Sequence, residues 1–352
     1  MTNPYQDKIQ PTNPLRNIFI LPVLDNYLLY SPLHQLSAII NKTAVQHLQK
    51  SLTLEDTLLA GSLGEIAEVL RQQVNLPKPK QGPFSPNFLG LIPTRGCNLA
   101  CRYCNFWYQG KNQVMDQKLA ADSVSWYMEY LKESGAQHGE IHFFGGEPFY
   151  AFDVVEFVVH YASYLAEKEN IQLSFEVATN GIMNPERCRW VADHFTTITL
   201  SFDGPADIQD LHRPLPGDKR TSRILEANAY IFSEYSQGLF FRSCVTSQTV
   251  KRMPQIAEWF CQNYQPKGIC FETLQTGERT LEANLEPPDP WNFAQKYSEA
   301  SSVMEQYGVV PIYSTADTQT KRVSFCPVGN DVAIISPDGG INACYLLSEE
   351  WE

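Results

Sequence analysis

Between Phe88 and Leu274, short apolar runs alternate with longer stretches in which apolar residues return every three or four positions. The runs 88–93, 140–144, 172–179, 197–202, 239–246 and 268–274 have the length and apolar content of strands. The stretches 116–134, 151–168, 186–195, 219–235 and 252–263 read as helices, the first through Val124, Tyr127, Met128 and Leu131. Such alternation pairs strands in parallel through right-handed crossovers, which makes the chain α/β. A doubly wound sheet and a whole or partial β/α barrel both satisfy it. In either, ligands sit beyond the carboxyl ends of the strands.

On both sides of this region the pattern changes. Residues 1–76 read as a small α+β module in which Ile18–Leu24 and Tyr27–Tyr30 flank an Asp25-Asn26 turn and Leu36–Ile40 adds a third strand. Asn41 then caps a helix carrying Ala44, Val45 and Leu48, and Ser62 with Glu65 has the spacing of a capping box ahead of Ile66, Val69 and Leu70. Residues 77–87, with Pro77, Pro79, Pro83 and Pro86, read as a linker. The β/α region is expected over 88–285. Residues 286–352 follow as a helix over 290–307 and a β-hairpin, Val332–Ser336 and Ile341–Leu346, around Pro337-Asp338-Gly339-Gly340.

Composition narrows the function. With 352 residues, 43% of them hydrophobic, the chain can bury more than one small domain's core. A net charge of −12, from 27 Lys and Arg against 39 Asp and Glu, repels phosphate backbones and anionic membranes, so neither nucleic acid nor membrane is an expected partner. No apolar run reaches the roughly 18 residues of a membrane span, and the first residues lack the features of a signal peptide, so a cytoplasmic protein is expected. Nine cysteines, three of them within eight residues, suggest a metal rather than a disulfide framework.

That cluster is Cys97-Asn98-Leu99-Ala100-Cys101-Arg102-Tyr103-Cys104, directly after the first barrel-type strand. Three soft thiolates on one loop suit iron-sulfur or zinc. Structural zinc usually takes a fourth ligand, which the loop lacks, whereas a cubane with three protein ligands leaves one iron open. Phe143-Phe144-Gly145-Gly146-Glu147-Pro148 follows the second strand; two glycines there admit a close ligand, and Glu147 could accept from an ammonium. Ala178-Thr179-Asn180-Gly181 ends the third strand, Ser201-Phe202-Asp203-Gly204-Pro205 the fourth, and Asp210-Leu211-His212-Arg213-Pro214 lies in the next loop. Small donors of this kind can hold a ribose, and Arg213 can fork a carboxylate. Phe271-Glu272-Thr273-Leu274-Gln275 ends the sixth. Cys188, Cys244, Cys261 and Cys270 read as small buried hydrophobes and His142 as a core or rim histidine.

The cysteine spacing, Tyr103 before the last cysteine, and the order of the later motifs resemble the radical S-adenosylmethionine (SAM) superfamily over residues 88–280. The resemblance implies a partial (β/α)6 TIM-type barrel with a 4Fe-4S cluster on Cys97, Cys101 and Cys104. The amino and carboxylate groups of SAM would chelate its fourth iron, and one electron would then cleave SAM to methionine and a 5'-deoxyadenosyl radical. SAM contacts are implied for Tyr103, for Gly145, Gly146, Glu147 and Pro148, for Thr179 and Asn180, for Ser201, Asp203 and Arg213, and for Leu274 on the adenine side. The C-x12-G-x4-C pattern from Cys326 to Cys344 resembles the opening of a SPASM domain, which binds auxiliary iron-sulfur clusters. The later cysteines of that domain do not follow, so a C-terminally incomplete extension is expected, with Cys326 and Cys344 either auxiliary-cluster ligands or free thiols.

Peptide-modifying members of the superfamily act on ribosomally synthesised precursors. The partners implied are therefore a peptide substrate with a leader and an external one-electron reductant such as flavodoxin or ferredoxin. Residues 18–73 resemble a winged-helix element that binds a leader by strand addition, the alternative being a plain α/β cap that stabilises the barrel. The chemistry implied is a crosslink, a thioether or an epimerisation; the alternatives are sulfatase-maturase-like protein modification and a non-catalytic, zinc-stabilised binding protein.

Overall fold

The computed structural model describes residues 18–53, 59–74, 84–104, 106, 112–313, 332–342 and 344–345. They fall into two units that divide between Gln81 and Gly82. In the first, Leu24 turns the chain at φ 53° between β1 (Phe19–Val23) and β2 (Asn26–Ser31), which pair antiparallel. The turn is Leu24-Asp25 rather than the expected Asp25-Asn26, because Asn26 already stands opposite Val23. β3 (Leu36–Ile40) pairs with the other side of β2, leaving β1 and β3 as edges. The Asn41 side chain accepts the Ala44 N–H at 2.8 Å and starts α1 (Lys42–Thr53). α2 (Gly61–Arg71) begins with Ala60 at its cap and no side-chain cap bond, so the Ser62–Glu65 box does not form: Ser62 is already inside the first turn. Leu29, Ile40, Val45, Leu48, Ala67 and Leu70 make this unit's core.

The second unit contains the six expected strands: β4 (Phe88–Leu91), β5 (His138–Phe143), β6 (Gln172–Thr179), β7 (Thr197–Ser201), β8 (Leu239–Val245) and β9 (Gly268–Thr273). They pair in parallel and in chain order. Between them run α3 (Gln117–Ser134), α4 (Phe152–Glu169), α5 (Pro185–His194), α6 (Ala206–His212), α7 (Ser222–Tyr235) and α8 (Met253–Tyr264). Local chemistry sets their ends: Asp116 caps α3 by accepting the N–H groups of Lys118 and Leu119, and Gly135 closes it at φ 71°. α9 (Glu278–Glu282), α10 (Pro290–Gln306) and β10 (Val310–Ile312) follow, β10 pairing in parallel with β9.

β5 distinguishes a partial barrel from a doubly wound sheet. Gly139, Ile141 and Phe143 are buried, whereas Glu140 is exposed and His142 half-buried. The same alternation recurs along β6, β8 and β9, where Phe175 and Val177, Leu239 and Phe241, and Ile269 and Phe271 join the helix-side core. Glu176, Arg242, Cys244, Cys270 and Glu272 take the opposite face. A doubly wound sheet is apolar on both faces; this one is apolar on one, and it does not close.

The carboxyl-terminal hairpin is not a separate extension. β11 (Val332–Ile335) pairs in parallel with β4, Ile334 opposite Gly90, and β12 (Ile341–Asn342) returns antiparallel to β11. All four residues of β11 are buried, which a two-stranded hairpin could not achieve by itself. Cys326, Leu346 and the segment from Asn75 to Pro83 lie outside the described residues. Among the described residues no helix is long and apolar enough to cross a membrane.

Candidate active site

The cysteine loop is fastened by the very motifs that follow the later strands. The Thr94 hydroxyl accepts the Gly96 N–H at 2.9 Å, and the Thr94 and Gly96 carbonyls accept the N–H groups of Gly146 and Glu147 at 3.1 and 2.9 Å. No side chain fits at Gly146, where a Cβ would lie 2.2 Å from the Gly96 oxygen and 2.6 Å from that of Arg95. Asn180 donates to Asn98 Oδ1 at 2.8 Å and to Cys97 Sγ at 3.6 Å, while Asn98 donates to the Ile182 carbonyl at 2.8 Å. From the fourth-strand side, the carbonyls of His212 and Pro214 accept the N–H groups of Arg102 and Ala100 at 2.9 and 2.8 Å. Four stretches distant in sequence thereby become one framework.

Within it lies a cavity of about 210 Å³ whose wall carries Cys97, Cys101, Cys104 and Tyr103 together with Gly145, Gly146, Glu147, Thr179, Asn180, Ser201, Arg213 and Leu274. Burial raises the Cys97 and Cys101 thiols to about 12, and it raises Cys104 as well, so they hold their protons until a metal displaces them. Three thiols on one cavity wall, beside the Gly145-Gly146 backbone and Arg213, are a donor set that suits an iron-sulfur cluster held by three cysteines.

Glu147 is nearly fully buried and ties two loops together. Its Oε1 accepts the Thr179 hydroxyl at 2.7 Å and the Phe149 N–H at 3.2 Å, and its Oε2 accepts the Asn180 N–H at 2.7 Å. Burial outweighs these donors and lifts the carboxyl to about 7. One acceptor position stays open on Oε2.

Asp203 and Pro148 do not reach the cavity wall. Asp203 is fully buried beneath it: Oδ2 accepts Tyr103 Oη–H at 2.7 Å and His212 Nδ1 at 3.1 Å, and Oδ1 accepts Arg213 Nε at 3.2 Å and the Cys244 N–H at 3.1 Å. Burial raises its carboxyl, but the Arg213 guanidinium and His212 prevail and hold it at about 2. Through these bonds it holds the wall residues Tyr103 and Arg213 in place. Pro148 opens the short 3-10 turn Pro148–Ala151, where a missing N–H costs nothing and the ring is buried.

Phe106 and Arg242, which stand in no motif read from the sequence, also line the cavity, as do Cys244 and, from within the quoted motifs but without an assigned contact, Phe144, Glu272 and Gln275. Cys244 was expected in the core; the alternation of β8 turns it inward together with Arg242, a signal already present in Arg242-Ser243-Cys244. Cys270 is half-buried on the same face and donates to Glu272 Oε1 at 3.2 Å, whereas Cys188 and Cys261 are core residues as expected. Cys344 borders a smaller neighbouring cavity with Phe144, Gly145 and Tyr345, apart from the three clustered cysteines. His142 is a rim residue, stacked on Phe88 with Nε2 at 3.2 Å from Glu140 and 3.5 Å from Glu176.

Residues 91–260, spanning the strands and loops that build this cavity, match the family model of the radical SAM superfamily. The serine-type anaerobic sulfatase-maturating enzyme of Klebsiella aerogenes is 31% identical over 163 residues, which are 44% of this chain and 38% of that enzyme. Among solved structures, anSMEcpe with bound AdoMet aligns at a TM-score of 0.60 with 18% identity, over 74% of this chain and 76% of that one. Streptococcus suis SuiB bound to S-adenosylmethionine aligns at 0.56 with 13% identity, over 94% and 82%. A further SuiB structure holds the precursor peptide SuiA. At these identities the structural likeness speaks for the fold alone, and the family match identifies residues 91–260 as a radical SAM domain; members of that superfamily bind AdoMet and a 4Fe-4S cluster.

Proposed function

We propose that the protein is a radical SAM enzyme that modifies a peptide, with Cys97, Cys101 and Cys104 holding the 4Fe-4S cluster. The observation that carries this reading is the one cavity those thiols share with Gly145, Gly146, Thr179, Asn180, Ser201 and Arg213. A cluster held there would supply, once reduced by an external one-electron donor such as flavodoxin or ferredoxin, the electron for cleavage of SAM to methionine and a 5'-deoxyadenosyl radical. The chain's own residues do the positioning. The Gly145-Gly146 backbone and the open acceptor of Glu147 take the SAM amino group, Arg213 and Ser201 its carboxylate, Thr179 and Asn180 the ribose side, and Leu274 the adenine. Arg213 suits this task because its Nε is anchored on Tyr103 and Asp203, at 2.6 and 3.2 Å, which aims the rest of the guanidinium.

A peptide substrate is supported by the relatives, one a sulfatase-maturating enzyme and one seen with a precursor peptide. The bond formed would be a crosslink, a thioether or an epimerised centre. The open edge β3 of the amino-terminal unit offers a place for a leader to add a strand. The test is anaerobic reconstitution with iron and sulfide, followed by iron counting and a 5'-deoxyadenosine assay with SAM and reductant. About four irons and deoxyadenosine formation support the reading; colourless protein without cleavage removes it.

A further inference from the structure

Two guanidiniums stand on the cavity wall, and they are held in opposite ways. Arg213 is anchored through Nε. The Arg242 side chain has neither hydrogen bond nor ion pair to any described residue, although it is exposed on the same wall. Its place is fixed by register: on the inward face of β8 it stands level with Ser201 of β7 and Cys270 of β9, two residues before Cys244. Its charge acts on the Cys244 thiol, which puts the guanidinium at that wall. The acidic side chains of the cavity are engaged elsewhere, Glu147 by Thr179, Asn180 and Phe149, and Glu272 by the Cys270 thiol. In a chain with 39 acidic residues against 27 basic ones, an inward-facing arginine without a carboxylate is a vacancy in the recognition chemistry.

SAM brings one carboxylate, and under the function proposed above Arg213 with Ser201 receives it. A second guanidinium in the same cavity then calls for a second anion. We propose that Arg242 receives a carboxylate of the substrate, so that the enzyme selects a peptide segment bearing an acidic group next to the carbon it attacks. The planar fork favours a carboxylate, which it can meet by two parallel hydrogen bonds. An Asp or Glu side chain and the free carboxyl terminus of a peptide share this chemistry.

The inference rests on the radical SAM reading, and the experiment separates the two. Reconstituted, SAM-loaded protein is titrated by calorimetry with three pentapeptides: capped AAEAA, capped AAQAA, and acetyl-AAAAA with a free carboxyl terminus. The wild type should bind a carboxylate peptide about tenfold or more tightly than AAQAA. Preference for AAEAA points to an acidic side chain, and preference for acetyl-AAAAA to a chain terminus. In Arg242→Gln that preference should vanish, and in Arg242→Lys it should survive in weakened form, since the charge stays but the fork is lost. The assignment is overturned if the wild type shows no carboxylate preference, including binding none of the peptides, if the preference survives in Arg242→Gln, or if that variant loses affinity for SAM. Wild type that forms no 5'-deoxyadenosine fails the proposed function itself; normal deoxyadenosine without carboxylate preference fails only Arg242.

Discussion

Replacing Asp203 by Asn tests whether a residue buried behind the cavity wall governs the site. The native carboxylate accepts four hydrogen bonds, from Tyr103, His212, Arg213 and Cys244, at 2.7 to 3.2 Å. An amide offers one oxygen and one NH2 in the same space, so only the two donors on the oxygen side keep an acceptor. If the NH2 turns to Oδ2's place, it meets Tyr103 Oη, which already accepts Arg213 Nε at 2.6 Å, and His212 Nδ1. His212 could accept there only by moving its proton to Nε2, which is buried without a partner. Removing the charge also leaves the Arg213 guanidinium without its counter-ion, and breaking such a buried pair costs about 3 kcal/mol.

Acid titration gives an independent measure of the same group. Asp203 is held at about 2 against an ordinary 3.8, so its ionised form contributes about 2 kcal/mol of stability. The folded-state value is depressed, so this contribution is complete above pH 3.8 and disappears as pH falls through about 2. Denaturant unfolding of cluster-free protein should show Asp203→Asn less stable by about 3 kcal/mol at neutral pH and less sensitive to acid between pH 4 and 2, with SAM affinity of the reconstituted variant lowered about tenfold. A stability within about 0.5 kcal/mol of wild type together with unchanged SAM affinity would refute the network argument.

Four further outcomes follow from the geometry. Cys101→Ala should lose the cluster in iron counting and form no 5'-deoxyadenosine while its circular dichroism stays native; full activity would sink the ligand assignment. Gly146→Ala should fail to retain iron on reconstitution, because the new methyl group would meet the backbone oxygens of Gly96 and Arg95 at 2.2 and 2.6 Å and push the cysteine loop away. Glu147, raised to about 7 from 4.5, favours its protonated form in the folded state, so cluster-free protein should lose about 3 kcal/mol of stability as pH rises from 4.5 to 7; a flat profile would contradict the burial argument, and Glu147→Gln should flatten it. Thr179→Val removes the hydroxyl that donates to Glu147 and accepts the Gly181 N–H at 3.1 Å, and unfolding should show a loss of about 1 to 2 kcal/mol.

Local pattern carried much of this protein. Spacing and capping marked the strands β4 to β9 and the helix starts at Asn41 and Asp116, because a strand's apolar run and a cap's hydrogen bond each involve residues a few positions apart. The cysteine triad and the Gly-Gly-Glu-Pro, Thr-Asn-Gly and Asp-Gly-Pro segments were likewise visible as motifs, since each is one loop after one strand. What they do to one another was not visible. Glu147 binds Thr179 and Asn180 across more than thirty residues, and Asp203 lies behind Tyr103 a hundred positions away.

Those contacts depend on which strands pair and in what register, quantities that no local window contains. Register also decided that Arg242 and Cys244 face the cavity beside Ser201, and that β11 joins β4 in the sheet instead of standing apart as a hairpin. In short, the chain's own letters settled which elements form and which chemical groups sit at their ends. Only the tertiary structure decided which of those groups line the cavity and which, like Asp203, hold the others in place, because burial and hydrogen-bond partners are properties of the assembled sheet.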